Sequence, residues 1–193
     1  MIKKIQQIVD ELSTDEKLQG PLHSLGCKNQ RERLKSICEL SLQNFEGNIL
    51  EIGCHIGLTT KIYCELARKY NRKVVVVDPW NGQQQGDQNI YEQFLTNTKE
   101  YEDVLLIHRV SSFAPEGKNI ITKGEFAFCW IDGLHTYDAC KQDIESCSKQ
   151  KGILAVDDLR WLPPLLKLFN EKRDLYSFES YYNSNCREGY YLT

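Results

Sequence analysis

The stretch Ile49-Leu50-Glu51-Ile52-Gly53-Cys54-His55-Ile56-Gly57-Leu58-Thr59-Thr60 passes from a short apolar run, through two glycines, into a segment with helical spacing. From Leu58 onward, apolar residues recur at Ile62, Tyr63, Leu66, Ala67 and Tyr70, the stripe of an amphipathic helix. A strand that ends in a glycine turn and feeds a helix is the first half of a βαβ unit. Gly53 lets the backbone turn tightly, and Gly57 lets the following helix start close to a ligand. Asp78 stands 25 residues after Gly53, at the end of the next apolar run. A carboxylate there suits two ribose hydroxyls, because it accepts hydrogen bonds from both. The same residues also fit an ordinary glycine turn with a helix-capping acid. His55 occupies the place where dinucleotide fingerprints carry their second glycine, which speaks against a pyrophosphate ligand.

Outward from this unit, four further apolar runs follow: Val74 to Val77, Val104 to Ile107, Phe126 to Ile131 and Ile153 to Val156. Counting from Ile49, their starts fall 25, 30, 22 and 27 residues apart, room for a helix in each gap and a brief one in the shortest. Continuous rather than alternating hydrophobicity predicts strands buried on both faces, as in a parallel sheet. A second helical stripe follows His135, with Tyr137, Cys140, Ile144 and Cys147. Ahead of the first strand, Ile2, Ile5, Val9 and Leu12 form one amphipathic pattern, and Leu34, Ile37, Cys38, Leu42 and Phe45 another. These predict two N-terminal helices separated by a break around Gly20-Pro21. Three roles are open for them: to cover the sheet, to lid the site, or to build a homo-oligomer face. Beyond Pro163-Pro164, Leu175 to Tyr182 and Tyr190-Tyr191-Leu192 predict a closing pair of strands. There is no internal repeat, and Gln83-Gln84-Gln85 is the one low-complexity patch. The expectation is an α/β domain over residues 1–193, with N-terminal helices over 1–46 and the core over 47–193.

Composition narrows the function. Across 193 residues, 24 basic and 27 acidic side chains leave a net charge of -3. That balance excludes a basic sheath for nucleic acid, where phosphate neutralisation dominates affinity. A hydrophobic content of 41% with 26% charged residues is that of a folded globular chain. No apolar run approaches the ~18 residues of a membrane span. Met1-Ile2-Lys3-Lys4-Ile5-Gln6-Gln7 turns polar too early for a signal peptide, so a cytoplasmic protein is expected. Eight cysteines without any Cys-x-x-Cys then read as small hydrophobes in a reduced compartment rather than as a zinc site.

In an open parallel sheet, ligands bind beyond the carboxyl ends of the strands. Ile131-Asp132-Gly133-Leu134-His135 and Val156-Asp157-Asp158 place three carboxylates at such ends. At about 4 Å and an effective dielectric of about 20, each anion pair repels by roughly 4 kcal/mol, so a cation or a proton is required. All-oxygen ligation favours Mg²⁺, with Ca²⁺ or Mn²⁺ as alternatives. The competing expectation is that Asp157 and Asp158 cap the next helix while Asp132 bonds loop amides. His135, three residues beyond Asp132, is expected to titrate near neutrality and to serve as a general base. His23, His55 and His108 are weaker candidates.

The combination of Glu51-x-Gly53-x-x-x-Gly57, Asp78, Asp132 and Asp157-Asp158 resembles the class I S-adenosylmethionine-dependent methyltransferases, whose fold is Rossmann-like with an antiparallel C-terminal strand. The string Ile131-Asp132-Gly133-x-His135-x-Tyr137, with Asp143 and Asp157-Asp158, is similar to the metal-dependent macrocin/mycinamicin-type sugar O-methyltransferases and, more distantly, to catechol O-methyltransferase. The resemblance spans about Asn48 to Leu159. It implies that Glu51, Gly53, Cys54 and Gly57 line the methionine end of S-adenosylmethionine, with Asp132 beside it. It further implies that Asp78 holds the ribose and that Ser111 and Ser112 approach the adenine. By the same resemblance, Asp132, Asp157 and Asp158 bind the divalent ion. His135 falls where the catechol enzyme carries its catalytic lysine, and Asp143 receives no chemical role. Trp80 and Trp161 follow strand ends, as walls of an acceptor pocket or as packing.

Methyl transfer to a small hydroxylated acceptor is thus the leading expectation, with no nucleic-acid or membrane partner. A catalytically silent module that binds S-adenosylmethionine or metal is the alternative from another class. An NAD-dependent oxidoreductase is disfavoured by the missing middle glycine and the three aspartates.

Overall fold

The structure, a computed structural model, describes residues 1–13, 28–81, 89–160, 162–176, 179–183 and 186–193. Helices α1 (Ile2–Ser13) and α2 (Lys28–Asn44) precede β1 (Asn48–Ile52), α3 (Leu58–Tyr70) and β2 (Val74–Val77). Then come α4 (Ile90–Thr98), a 3-10 turn at Lys99–Tyr101, β3 (Leu105–His108), α5 (Pro115–Lys123) and β4 (Phe126–Ile131). The chain closes with α6 (Tyr137–Cys147), β5 (Ile153–Val156), α7 (Pro163–Tyr176), β6 (Glu179–Tyr182) and β7 (Gly189–Leu192). The break expected at Gly20-Pro21, together with His23, the Gln83 patch and Trp161, lies outside the described residues.

The strands form one seven-stranded sheet in the order β3-β2-β1-β4-β5-β7-β6. Neighbours from β3 to β5 pair in parallel, and β7 runs antiparallel to both β5 and β6. Side-chain alternation divides the core into two layers. Ile49, Val74, Val76, Phe128, Trp130 and Ala155 face one cluster, shared with α1 to α4. Leu50, Ile52, Val75, Val77, Ile131 and Val156 face the other, shared with α5 to α7. Central strands covered on both sides need apolar residues at every position, which accounts for the unbroken runs.

Two details differ from expectation. β3 begins at Leu105, because Val104 closes the preceding turn through its N–H to Tyr101 O at 3.0 Å. Leu175 and Tyr176 belong to α7, whose inner face carries Leu165, Leu168 and Phe169, and the strand starts only at Glu179. Of the three roles open to the N-terminal helices, sheet cover is the one seen within the chain: Ile5, Val9, Leu34 and Ile37 are fully buried. The seven described cysteines are buried. Among the described residues, no helix is long and apolar enough to cross a membrane.

Candidate active site

The order of strands reverses between β1 and β4, since the chain winds outward to β3 before returning to β4. That reversal opens a crevice beyond the two strand ends. Gly53 lies at its floor with φ 84°, and a side chain there would start 2.1 Å from the carbonyl oxygen of Asp132. Gly57 precedes α3 with φ 81°. Only glycine tolerates both the backbone angle and the crossing at these positions.

Around this turn the acids have distinct environments. Glu51 is buried and accepts a 2.6 Å hydrogen bond from the Thr60 hydroxyl. Burial pushes its pKa up to about 8, against the Thr60 bond and with the help of the Asp132 and Asp78 charges. Asp78 closes the glycine turn from the neighbouring strand. Its Oδ2 accepts the N–H of Cys54 at 2.7 Å and of His55 at 3.2 Å, and its Oδ1 accepts the N–H of Trp80 at 2.7 Å. By lone-pair count, one acceptor position remains on Oδ1. Trp80 packs between Tyr91 and Phe94, and its indole N–H donates to His55 O at 2.8 Å. It therefore braces the loop, which is the packing alternative.

Ser111 and Ser112 sit between β3 and α5, where the Ser111 hydroxyl accepts the Phe113 N–H at 3.2 Å. Ser112 O accepts from the Gln142 amide at 3.4 Å, linking this loop to α6. Buried Asp143 lies beneath Gly133 on the same helix. Burial raises its pKa to about 6, and among the described residues neither carboxylate oxygen has a hydrogen-bond partner.

The ends of β4 and β5 bring the remaining residues together. His135 spans two acids, with Nε2 3.0 Å from Asp132 Oδ1 and Nδ1 2.9 Å from Asp158 Oδ2. Among the described residues, none of the three carboxylates accepts a helix N–H. Asp158, in the left-handed region at φ 61°, also receives Nε of Arg187 at 3.2 Å and a second contact from its Nη2. Asp157 receives Arg187 Nη2 at 3.5 Å and the Gln30 amide at 2.7 Å. Burial alone would lower the His135 pKa, but the bonds to Asp132 and Asp158 raise it to about 10. The expected neutral-range base is thus an imidazolium in this arrangement. Burial raises Asp132 and Asp157, whereas His135 and Arg187 overcome burial and hold Asp158 down to about 2.

Three carboxylates on adjacent strand ends suit a hard divalent cation in kind. Their oxygens here already carry two cations of the chain, Arg187 and His135. Among the described residues, no group of three His, Cys, Asp or Glu side chains is arranged to hold a metal ion.

Arg187 and Gln30 went unrecognised in the sequence. Arg187 arrives because β7 pairs antiparallel with β5, placing Val156 opposite Gly189 and the preceding turn beside Asp157-Asp158. The backbone confirms the contact, as Leu159 N–H donates to Arg187 O at 2.7 Å. Gln30 arrives on α2, next to a buried ion pair between Arg33 and Glu188.

Comparison with known proteins follows the geometry. A family model described as a methyltransferase domain matches residues 50–159, more than half of the chain. No curated protein sequence matches. Among solved structures, the chain is similar to CalS11, a TDP-rhamnose 3'-O-methyltransferase of calicheamicin biosynthesis, with TM-score 0.64 and 16% identity over 98% of this chain and 93% of that one. It is similar to the O-methyltransferase NovP, with TM-score 0.64 and 15% identity over 84% and 78%. It also resembles an S-adenosylhomocysteine-bound methyltransferase, PaMTH1 of Podospora anserina, with TM-score 0.61 and 12% identity over 97% and 86%. At these identities the structural likeness speaks for the fold, and the family match carries the assignment: the chain belongs to the methyltransferase-domain family and has the class I fold of S-adenosylmethionine-dependent methyltransferases.

Proposed function

We propose that the protein transfers a methyl group from S-adenosylmethionine to a hydroxyl of a small molecule, such as a sugar, a polyol or a catechol-like compound. The observation that carries this reading is the Asp132–His135–Asp158 cluster set directly beside the Gly53 turn. The neighbours CalS11 and NovP, both named O-methyltransferases, support a hydroxyl acceptor. In this reading Glu51, Gly53, Cys54 and Gly57 line the methionine end, the free position on Asp78 meets the ribose, and Ser111 and Ser112 border the adenine. The cofactor supplies an electrophilic methyl, so the protein must align it and deprotonate the acceptor. Asp132, made more basic by burial, receives the hydroxyl proton, while the imidazolium charge of His135 steadies the oxygen as it attacks. The O–C bond forms as the S–C bond breaks, and S-adenosylhomocysteine leaves. Asp132, Asp157 and Asp158 would hold a divalent ion such as Mg²⁺, which when bound lowers the pKa of a coordinated hydroxyl and fixes its position.

A second reading, a catalytically silent binder of S-adenosylmethionine, is favoured by the two cations already seated on the acidic cluster. Calorimetry and turnover separate the possibilities. S-adenosylmethionine should bind and NAD should not. Release of S-adenosylhomocysteine across a panel of sugars, polyols and phenols should identify the acceptor, and His135→Ala should lower that turnover by roughly 10²- to 10⁴-fold. Binding without turnover on any acceptor supports the silent module, and failure to bind S-adenosylmethionine overturns both readings. Full activity in excess EDTA would remove the divalent ion alone.

A further inference from the structure

Among the described residues, Arg187 is the one cation that touches both Asp157 and Asp158. Its guanidinium grips Asp158 through Nε and Nη2 and reaches Asp157 with the same Nη2. A guanidinium stays charged at any pH a protein survives, so this contact cannot be relieved by losing a proton. The backbone behind it is pinned. Arg187 O accepts the N–H groups of Leu159 and Arg160, and Arg187 N–H donates to Glu188 Oε2 at 3.1 Å. Glu188 is itself held by buried Arg33 and by the Tyr190 hydroxyl at 2.9 Å. The Arg187 side chain keeps partial exposure to solvent, a way out for the guanidinium.

We propose that Arg187 is a built-in counter-ion that competes with a divalent cation for the oxygens of Asp157 and Asp158. This rests on the divalent site proposed above. The cluster sets three carboxylates against His135 and Arg187, leaving one formal negative charge, too little to attract a doubly charged ion strongly. Withdrawal of the guanidinium restores the missing charge and frees Asp158 Oδ1, the oxygen it grips with two nitrogens. Metal affinity is thereby set by a residue that never ligates the metal.

The test is direct Mn²⁺ binding, read by the loss of the free-ion electron paramagnetic signal, on the full chain as wild type, Arg187→Gln and Arg187→Lys. Arg187→Gln should bind Mn²⁺ at least about tenfold more tightly than wild type, because a competitor that must be displaced lowers apparent affinity in proportion. Its unfolding temperature should fall in EDTA and recover with Mn²⁺, a recovery that wild type should not show. Arg187→Lys keeps the charge without the two-pronged grip, so a smaller gain, about threefold, is expected; it also carries the test if Arg187→Gln does not fold. Equal or weaker affinity in the variants, or no Mn²⁺ binding in any of them, overturns the proposal. S-adenosylhomocysteine binding by calorimetry in the same samples keeps the outcomes apart. If it persists while the Mn²⁺ result fails, only the counter-ion idea falls; if wild type does not bind it, the methyltransferase reading fails first.

Discussion

Glu51 shows what a buried carboxylate costs a fold. It stands on a central strand, covered on both faces, with one hydroxyl partner from Thr60. Its folded pKa of about 8 lies above the usual carboxylate value, so the folded state holds a proton that the unfolded chain releases. Stability from this group is therefore complete below about pH 4.3 and declines as pH rises toward 8, by up to about 1.4 kcal/mol per pH unit. Replacing it by glutamine should flatten that slope, so that the ligand-free Glu51→Gln variant gains on wild type between pH 5 and 8 in denaturant unfolding, roughly in step with this linkage. An unchanged slope would show that Glu51 is not the titrating group. At Gly53 the effect is steric. Gly53→Ala would drive a methyl into the Asp132 carbonyl and should cost about 3 kcal/mol or more while abolishing S-adenosylmethionine binding. Both residues were legible from their place in one short motif. The pKa of His135 was not, because it depends on Asp158, which approaches from a different strand.

At the scale of elements, the five parallel strands were legible because burial on both faces leaves a continuous signal in the chain. The signal weakens where burial does. β3 is an edge strand with Leu106 and Ile107 exposed, and there the expected start missed by one residue. The aromatic run after Pro163-Pro164 was misread at its beginning because a short apolar stretch does not by its periodicity distinguish a helix end from a strand, and Leu175 and Tyr176 continue α7. The site residues brought in by distant elements were illegible for another reason: Arg187 and Gln30 depend on strand order and helix placement, which leave no local trace. Helix α2 is tied to β7 through the Arg33–Glu188 pair, with both side chains fully buried. Arg33→Ala, which strands an unpaired carboxylate, should destabilise by about 3–5 kcal/mol in denaturant unfolding. Replacing both partners by methionine should recover most of that loss. If the double variant is no better than the single, the pair is not the anchor.

Taken whole, the molecule is a two-layered core on a sheet whose carboxyl edge gathers Gly53, Asp78, Asp132, His135, Asp157 and Asp158. The net charge of -3 conceals this organisation, since a dense acidic group and its two cations nearly cancel locally. The contacts that complete the site span long stretches of chain: Gln30 to Asp157 covers 127 residues, and Arg33 to Glu188 covers 155. Such loops are entropically costly to close, so they are expected to close after the local βαβ units have formed. Refolding should therefore be biphasic, with far-ultraviolet ellipticity returning before the capacity to bind S-adenosylhomocysteine. Arg33→Ala should slow the second phase and leave the first unchanged; a single common rate would show that the site forms with the sheet. The protein would thus pass through an interval in which its fold is present and its chemistry is not, a window in which a chaperone or a protease meets a methyltransferase that cannot yet hold its cofactor.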